Sequence, residues 1–265
     1  MDPLSFIGFA LGFGLLYFGA SEGGGLKVFI NSHGICIVVG GTLAMTLVNS
    51  SARNLWMAFR GFFRLFFPQR ITPPGQVIVM LRQLSDRSRS EGMVALQDAD
   101  RRAAVGFLAR AANVALMSGD PEFVRVVLDE DILQMKLRHQ VVGGIFRTMG
   151  VISPMIGLLG TLIGIVNVLQ HITDPTKVGP SMATALSTAF YGILISSFFA
   201  IPVAGKLRER SNDELLVRSL IVEGIVGILK KEPSYLLELR LRSFARQQGI
   251  PVAGAPIPEA ARIGA

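Results

Sequence analysis

The sequence predicts an all-α integral membrane protein with four transmembrane helices. A helical cytoplasmic domain is built from the loop between the second and third spans and from the C-terminal segment. Three observations carry this expectation. Half of the 265 residues are hydrophobic and only 17% are charged, where a soluble domain carries roughly a quarter. Uncharged apolar runs recur that are long enough to cross a bilayer, which takes about 20 helical residues. Of the 26 Lys and Arg, 14 lie between the second and third runs, 10 follow the fourth, and one sits in each short loop. That bias places both long polar segments, and both termini, in the cytoplasm. It also accounts for the net charge of +7 and the pI near 10.1 without a nucleic-acid partner. A single cysteine, Cys36, excludes an internal disulfide. His33, His139 and His171 lack metal-ligand spacing, so no metal site is expected.

Residues 1–49 hold the first two spans. The apolar run from Leu4 to Ala20 reads as a retained membrane helix; a cleaved signal peptide would want a basic start, and Asp2 stands there instead. Gly23, Gly24 and Gly25 form a flexible turn, since no Gly-Lys-Ser/Thr follows to make a phosphate loop. Residues 33–48 form the second span, with Gly40, Gly41, Thr42 and Ala44 allowing close helix contact.

Residues 50–148 form the first part of the cytoplasmic domain. It opens with an interfacial helix over 54–67, in which Arg53, Arg60 and Arg64 share one face and aromatic residues cover much of the rest. Pro68, Pro73 and Pro74 end it. Val77, Leu81 and Leu84 keep a helical period, as do Leu96, Ala103, Phe107 and Leu108. The charged stretch 85–100 between them reads as a solvated helix surface. Asp120, Pro121 and Glu122 then mark a helix start. No stop follows before the apolar run, so one long helix is expected to enter the bilayer.

Residues 149–204 hold the third and fourth spans. In 149–170 the small and polar residues Gly150, Ser153, Gly157, Gly160, Thr161, Gly164 and Asn167 recur at three and four, on one face. Pro154 lies inside the span. Residues 171–180 read as a short outer turn, and 182–204 as the fourth span. Ala185, Thr188, Ala189, Gly192 and Ser196 make a second small stripe there, with Pro202 at its inner end. So short a loop makes the two helices antiparallel neighbours, their stripes facing each other or one shared axis. Residues 205–248 continue as cytoplasmic helices broken at Glu232-Pro233, and the Pro-, Ala- and Gly-rich 249–265 is expected to be disordered.

The four spans contain no Asp, Glu, Lys or Arg, whereas ion pathways ordinarily use a buried acid. No catalytic constellation, nucleotide motif or cofactor site accompanies them, so the chain reads as a non-enzymatic component of an assembly. An acid, if ions pass, must come from a partner subunit.

These features carry a resemblance. The run PMIGLLGTLIG from Pro154 to Gly164, Asp174-Pro175, Gly179-Pro180, Tyr191-Gly192 and the segment from Ile201-Pro202 to Lys206-Leu207 resemble the MotA/PomA family of bacterial flagellar stators. That family lies within the MotA/TolQ/ExbB proton-channel superfamily, and the likeness covers residues 1 to about 248. It implies a multi-pass protein of the bacterial inner membrane, in lipid. A pentamer of this chain would surround two copies of a MotB/PomB-like peptidoglycan-binding partner, whose membrane helix carries an essential aspartate. Passage of H+ or Na+ past that aspartate would turn the pentamer against a FliG-like rotor protein, with no cofactor.

Residue by residue, the resemblance makes Pro154 and Pro202 coupling prolines. It makes Thr161, Thr188 and Ala189 part of the ion path, and Gly157, Gly160, Gly164, Tyr191 and Gly192 helix-packing residues. Sodium-type members have a threonine matching Thr161, but the family's second threonine pair here reads Thr188-Ala189, so the ion stays open. Arg89, Gly92 and Leu96 match the rotor-contact pattern. Gln97 replaces its acid, and Asp98 or Asp100 is expected to substitute for it. A TolQ/ExbB-like energiser of envelope transport, or another surface motility system, is the alternative reading.

Overall fold

The computed structural model describes residues 3–21, 30–66, 72–100 and 103–247, and all regular structure among them is helical. The Gly23–Gly25 turn, Pro68 and the 249–265 tail lie outside the described residues.

Helix α1 is Pro3–Ser21, and α2 is Ser32–Asn49, with a π turn at Cys36–Gly40. Helix α3 (Ala52–Phe66) and α4 (Pro74–Glu91) follow. Short 3₁₀ turns at Met93–Asp98 and Ala103–Gly106 lead to α5 (Phe107–Ser118). Helix α6 (Pro121–Gln170) runs 50 residues without a break, Pro154 included. Helix α7 (Pro175–Leu229) runs 55, with a π turn at Ile195–Ala200 just before Pro202. Helix α8 is Ser234–Gln247. Three of these, α2, α6 and α7, are long and apolar enough to cross a membrane; in α1 the described apolar part is Ile7–Gly19.

The long helices start where capping chemistry dictates. Asp120 accepts from the backbone N–H of Glu122 at 3.2 Å and Phe123 at 3.3 Å, satisfying two donors a helix start leaves open. Asp174 accepts from Thr176 N at 3.1 Å, and Pro175 takes the first helical position. This corrects the expected outer turn 171–180. The turn is only 171–174, and Pro180 lies inside α7. The Asp-Pro cap outweighs the single backbone bond that Pro180 forfeits.

The stretch 85–100 also differs from a continuous solvated helix. Helix α4 ends at Glu91 because Gly92 adopts φ +79° and ψ −172°, a region open essentially to glycine alone. The chain then turns back, and Ala95 and Leu96 are buried.

The chain divides into two compact units, Met1–Gln69 with Arg138–Glu209, and Arg70–Leu137 with Arg210–Ala265. In the first, α3 buries Ala58 and Leu65 against Ile145, Phe146 and Val203. Its Phe62 ring lies 5.4 Å from that of Phe199 and 6.0 Å from that of Phe146. Trp56, Phe59 and Phe63 stay exposed, as do Arg53, Arg60 and Arg64. So do Val151, Met155, Leu158, Leu159, Leu162, Ile163 and Leu169 of α6. Apolar surface of that extent requires lipid or protein to cover it.

The second unit has a water-soluble protein's core. Val77, Leu81, Leu96, Phe107, Leu108, Leu128, Leu220, Ile221, Ile225, Leu237 and Leu241 are almost wholly buried, each large side chain contributing about 1.5–3 kcal/mol. Around it, Arg125 donates to both carboxylate oxygens of Glu223, at 2.6 and 3.1 Å, and Arg240 approaches Glu223 at 3.7 Å and Glu232 at 3.3 Å. The bond from Arg125, ahead of its charge and that of Arg240, holds Glu223 below the usual carboxylate range despite partial desolvation. The same bond raises Arg125.

Because the folded-state value of Glu223 is depressed, its contribution to stability is complete above the unfolded carboxylate pKa of about 4.3 and is lost as pH falls through the lower folded value. Glu223→Gln should therefore lower thermal stability at pH 7, and the gap between it and the native chain should close on acidification. Melting curves from pH 7 to 3 check this; a gap independent of pH would refute the ionic role.

Candidate functional site

The expected ion-path and helix-packing residues converge where the C-terminal half of α6 lies against α7. The stripes face each other at backbone distance. A β-carbon on Gly157 would stand 2.7 Å from the carbonyl oxygen of Thr188, one on Gly160 2.6 Å from Thr188 Cβ, and one on Gly164 2.5 Å from Ala185 Cβ. From the other helix, a β-carbon on Gly192 would meet the carbonyl oxygen of Ser153 at 2.6 Å and Pro154 Cα at 3.1 Å. Small residues permit this approach, and dispersion together with cross-helix hydrogen bonds holds it. Such bonds cross here: Ser153 Oγ donates to the Gly192 carbonyl at 3.1 Å, and Ser196 Oγ to the Gly150 carbonyl at 2.6 Å.

The three expected ion-path residues sit differently within this contact. Thr188 is fully buried in it and donates to Ala185 O at 2.8 Å. Thr161 is half-buried and donates to Leu158 O at 2.7 Å. Ala189 is half-buried, its Cα 3.4 Å from a β-carbon built on Gly157. Both hydroxyl hydrogens are thus committed to their own helices, and only oxygen lone pairs remain to meet a cation. Neither span supplies an Asp, Glu, His, Lys or Arg, so the contact offers oxygen ligands but no carboxylate.

Helix α2 is seated on α7 by residues that the small-residue stripes do not mark. Asn31 N–H donates to Tyr191 Oη and Asn31 Nδ2 to Thr184 Oγ1, both at 2.8 Å. Asn31 Oδ1 also accepts from Gly34 N at 3.0 Å, capping α2. A β-carbon on Gly34 would lie 3.3 Å from Thr188 Cγ2. The signal present in the sequence was Asn31 just before an apolar run, a helix-cap position.

The other expected group lies in the second unit. Arg89 is in the last turn of α4, and Gln97 and Asp98 end the 3₁₀ turn beyond Gly92; all three are exposed. Arg87, not Arg89, pairs with Asp98, at 3.8 Å. Among the described residues no His, Cys, Asp and Glu cluster suits a metal ion.

Residues 100–219 match the model of the MotA/TolQ/ExbB proton channel family. Motility protein A of Borreliella burgdorferi is 31% identical over 247 residues, covering 92% of this chain and 94% of that protein. Chemotaxis protein PomA of Vibrio alginolyticus is 28% identical over 247 residues, covering 93% and 96%. Among solved structures, the flagellar MotAB stator complex from Bacillus subtilis matches with a TM-score of 0.83 and 25% identity, over 93% of this chain and 98% of that one.

The packing makes a sharp contrast between two glycines. Gly164→Ala should destabilise the protein by about 1–3 kcal/mol through overpacking, because Ala185 backbone atoms leave the new methyl no room. Gly143→Ala, with nothing within 4 Å, should be neutral or stabilising by up to about 1 kcal/mol. Thermal unfolding of the purified chain in detergent compares them; equal effects would deny the close contact.

Proposed function

This chain belongs to the motility protein A family, within the MotA/TolQ/ExbB proton channel family, and we propose that it works as a flagellar stator subunit. With a MotB-type partner it converts ion flow across the bacterial inner membrane into torque. The observation that carries this is the α6–α7 contact: close-packed, lined by hydroxyls and carbonyls, and devoid of any carboxylate, histidine, lysine or arginine. Such a contact needs an acid from elsewhere, and a partner helix carrying an aspartate supplies it.

In this reading the chain crosses the membrane four times, with both termini in the cytoplasm. Five copies surround two partner subunits. The permeating ion, H+ or Na+, passes the partner's aspartate beside Thr161, with Thr188 and Ala189 shaping the wall behind it. Pro154 and Pro202 mark where α6 and α7 yield as the ion binds and leaves; the π turn at Ile195–Ala200 puts a second irregularity next to Pro202, as π turns often do at functional positions. Arg89 and Asp98, exposed on either side of the Gly92 break, meet a FliG-like rotor protein, and the adjacent Gln97 adds no charge there.

Two measurements test this. Single-motor rotation is followed in cells carrying the chain and its partner while sodium is varied at constant proton-motive force. Speed rising with sodium assigns Na+ to the path and gives Thr161 a direct part; speed indifferent to sodium but abolished by a protonophore assigns H+ and returns Thr161 to packing. Arg89→Glu and Asp98→Arg, made singly, should each impair motility while membrane assembly stays intact. Normal swimming of both variants would remove these residues from the rotor contact.

A further inference from the structure

Proline at 154 deprives α6 of one backbone donor. In a regular helix the N–H of residue 154 bonds the carbonyl four residues earlier, which is Gly150. That carbonyl is not left bare. The buried hydroxyl of Ser196, on the neighbouring helix, donates to it at 2.6 Å. A β-carbon on Gly150 would stand 2.9 Å from Ile201 Cγ1 and 3.6 Å from Ala200 Cβ, so the segment around it is pressed against the end of the π turn, next to Pro202. The bond is reciprocated one turn on. Ser153, next to the proline, donates to Gly192, the residue four before Ser196. Each serine therefore bonds across to the other helix, although a serine in a helix can also bond the carbonyl four residues back in its own.

We infer that Ser196 is a positioning residue for Pro154, supplying across the helix contact the hydrogen bond that the proline removes, and that with Ser153 it forms a latch with two settings. In the closed setting seen here, both hydroxyls cross. In the open setting Ser196 turns back to Gly192 O and Ser153 to Met149 O. Each hydroxyl keeps one acceptor in both settings, so the exchange conserves the count of hydrogen bonds. It releases Gly150 O, and so frees α6 to bend at Pro154. Two arrangements of nearly equal energy in a packed contact are what a cyclic movement requires. The inference rests on the proposal that Pro154 takes part in coupling ion passage to movement.

The test is a double-mutant cycle on the full chain co-produced with its partner: Ser196→Ala, Pro154→Ala and both together, with Pro154→Leu as a second way to restore the N–H. Gly150 is the only glycine in the sequence followed by valine, so labelling glycine carbonyl carbon and valine nitrogen marks its carbonyl alone within this chain in a solid-state NMR spectrum, and the signal lost in a Val151→Ile control identifies it in the complex. Ser196→Ala should move that signal to the position of an unbonded carbonyl and slow or stop rotation, with the amount of membrane-assembled protein unchanged. With residue 154 alanine or leucine, Ser196→Ala should leave the signal at its bonded position, because the helix supplies its own donor. A Gly150 signal unmoved by Ser196→Ala, or moved equally in both backgrounds, overturns the assignment. A moved signal with normal rotation leaves Ser196 a structural prop and overturns the latch. Normal rotation of Pro154→Ala is a separate failure, that of the coupling role of Pro154 itself.

Discussion

The approach of two backbones in the α6–α7 contact sets the terms for everything around it. Where Gly157, Gly160 and Gly164 meet Thr188 and Ala185, there is space for neither a side chain nor a water. Every polar group there must therefore find its partner within the protein, since an apolar surround offers none. Ser153, Ser196 and Thr188 meet that demand by donating to carbonyls. A charge placed in the same contact would have no such settlement. The absence of carboxylates, histidines, lysines and arginines from these spans is thus a condition of the packing as much as a feature of the chemistry, and in the proposed function it leaves the titrating group to another polypeptide.

The second unit obeys a different solvent. Its apolar side chains are gathered inside and its charges lie outside in pairs, with Arg125 and Glu223 partly withdrawn from water and mutually stabilised. Helix α6 belongs to both regimes along its length. It opens with a capped, charged start at Asp120 and Glu122 and ends in an uncharged, glycine-notched run. One helix can do so because the backbone bonds within it are satisfied in either medium.

Much of this was legible from residue order alone. Hydropathy and the spread of arginines located the long helices, and the threefold and fourfold spacing of small residues marked both stripes, because helical periodicity is a local property. That the stripes face each other, rather than a common axis, is a tertiary fact that spacing leaves open. Pro180 reads as loop because proline usually breaks helices, yet the Asp174-Pro175 cap starts α7 early enough to enclose it. The turn at Gly92 was missed for a related reason. Its need for a backbone region closed to other residues shows only in φ and ψ, while its charged neighbours look like any solvated helix. Asn31 escaped because its partners, Tyr191 and Thr184, lie 160 and 153 residues away.

The bare apolar flank of α6 bears on how a cell must make this protein. Val151, Met155, Leu158, Leu162 and Leu169 are presented outward by a single chain; side chains of that kind invite indiscriminate association in water, whereas lipid tails cover them as well as another protein does. The hazard therefore lies before the bilayer is reached, and insertion has to keep pace with synthesis.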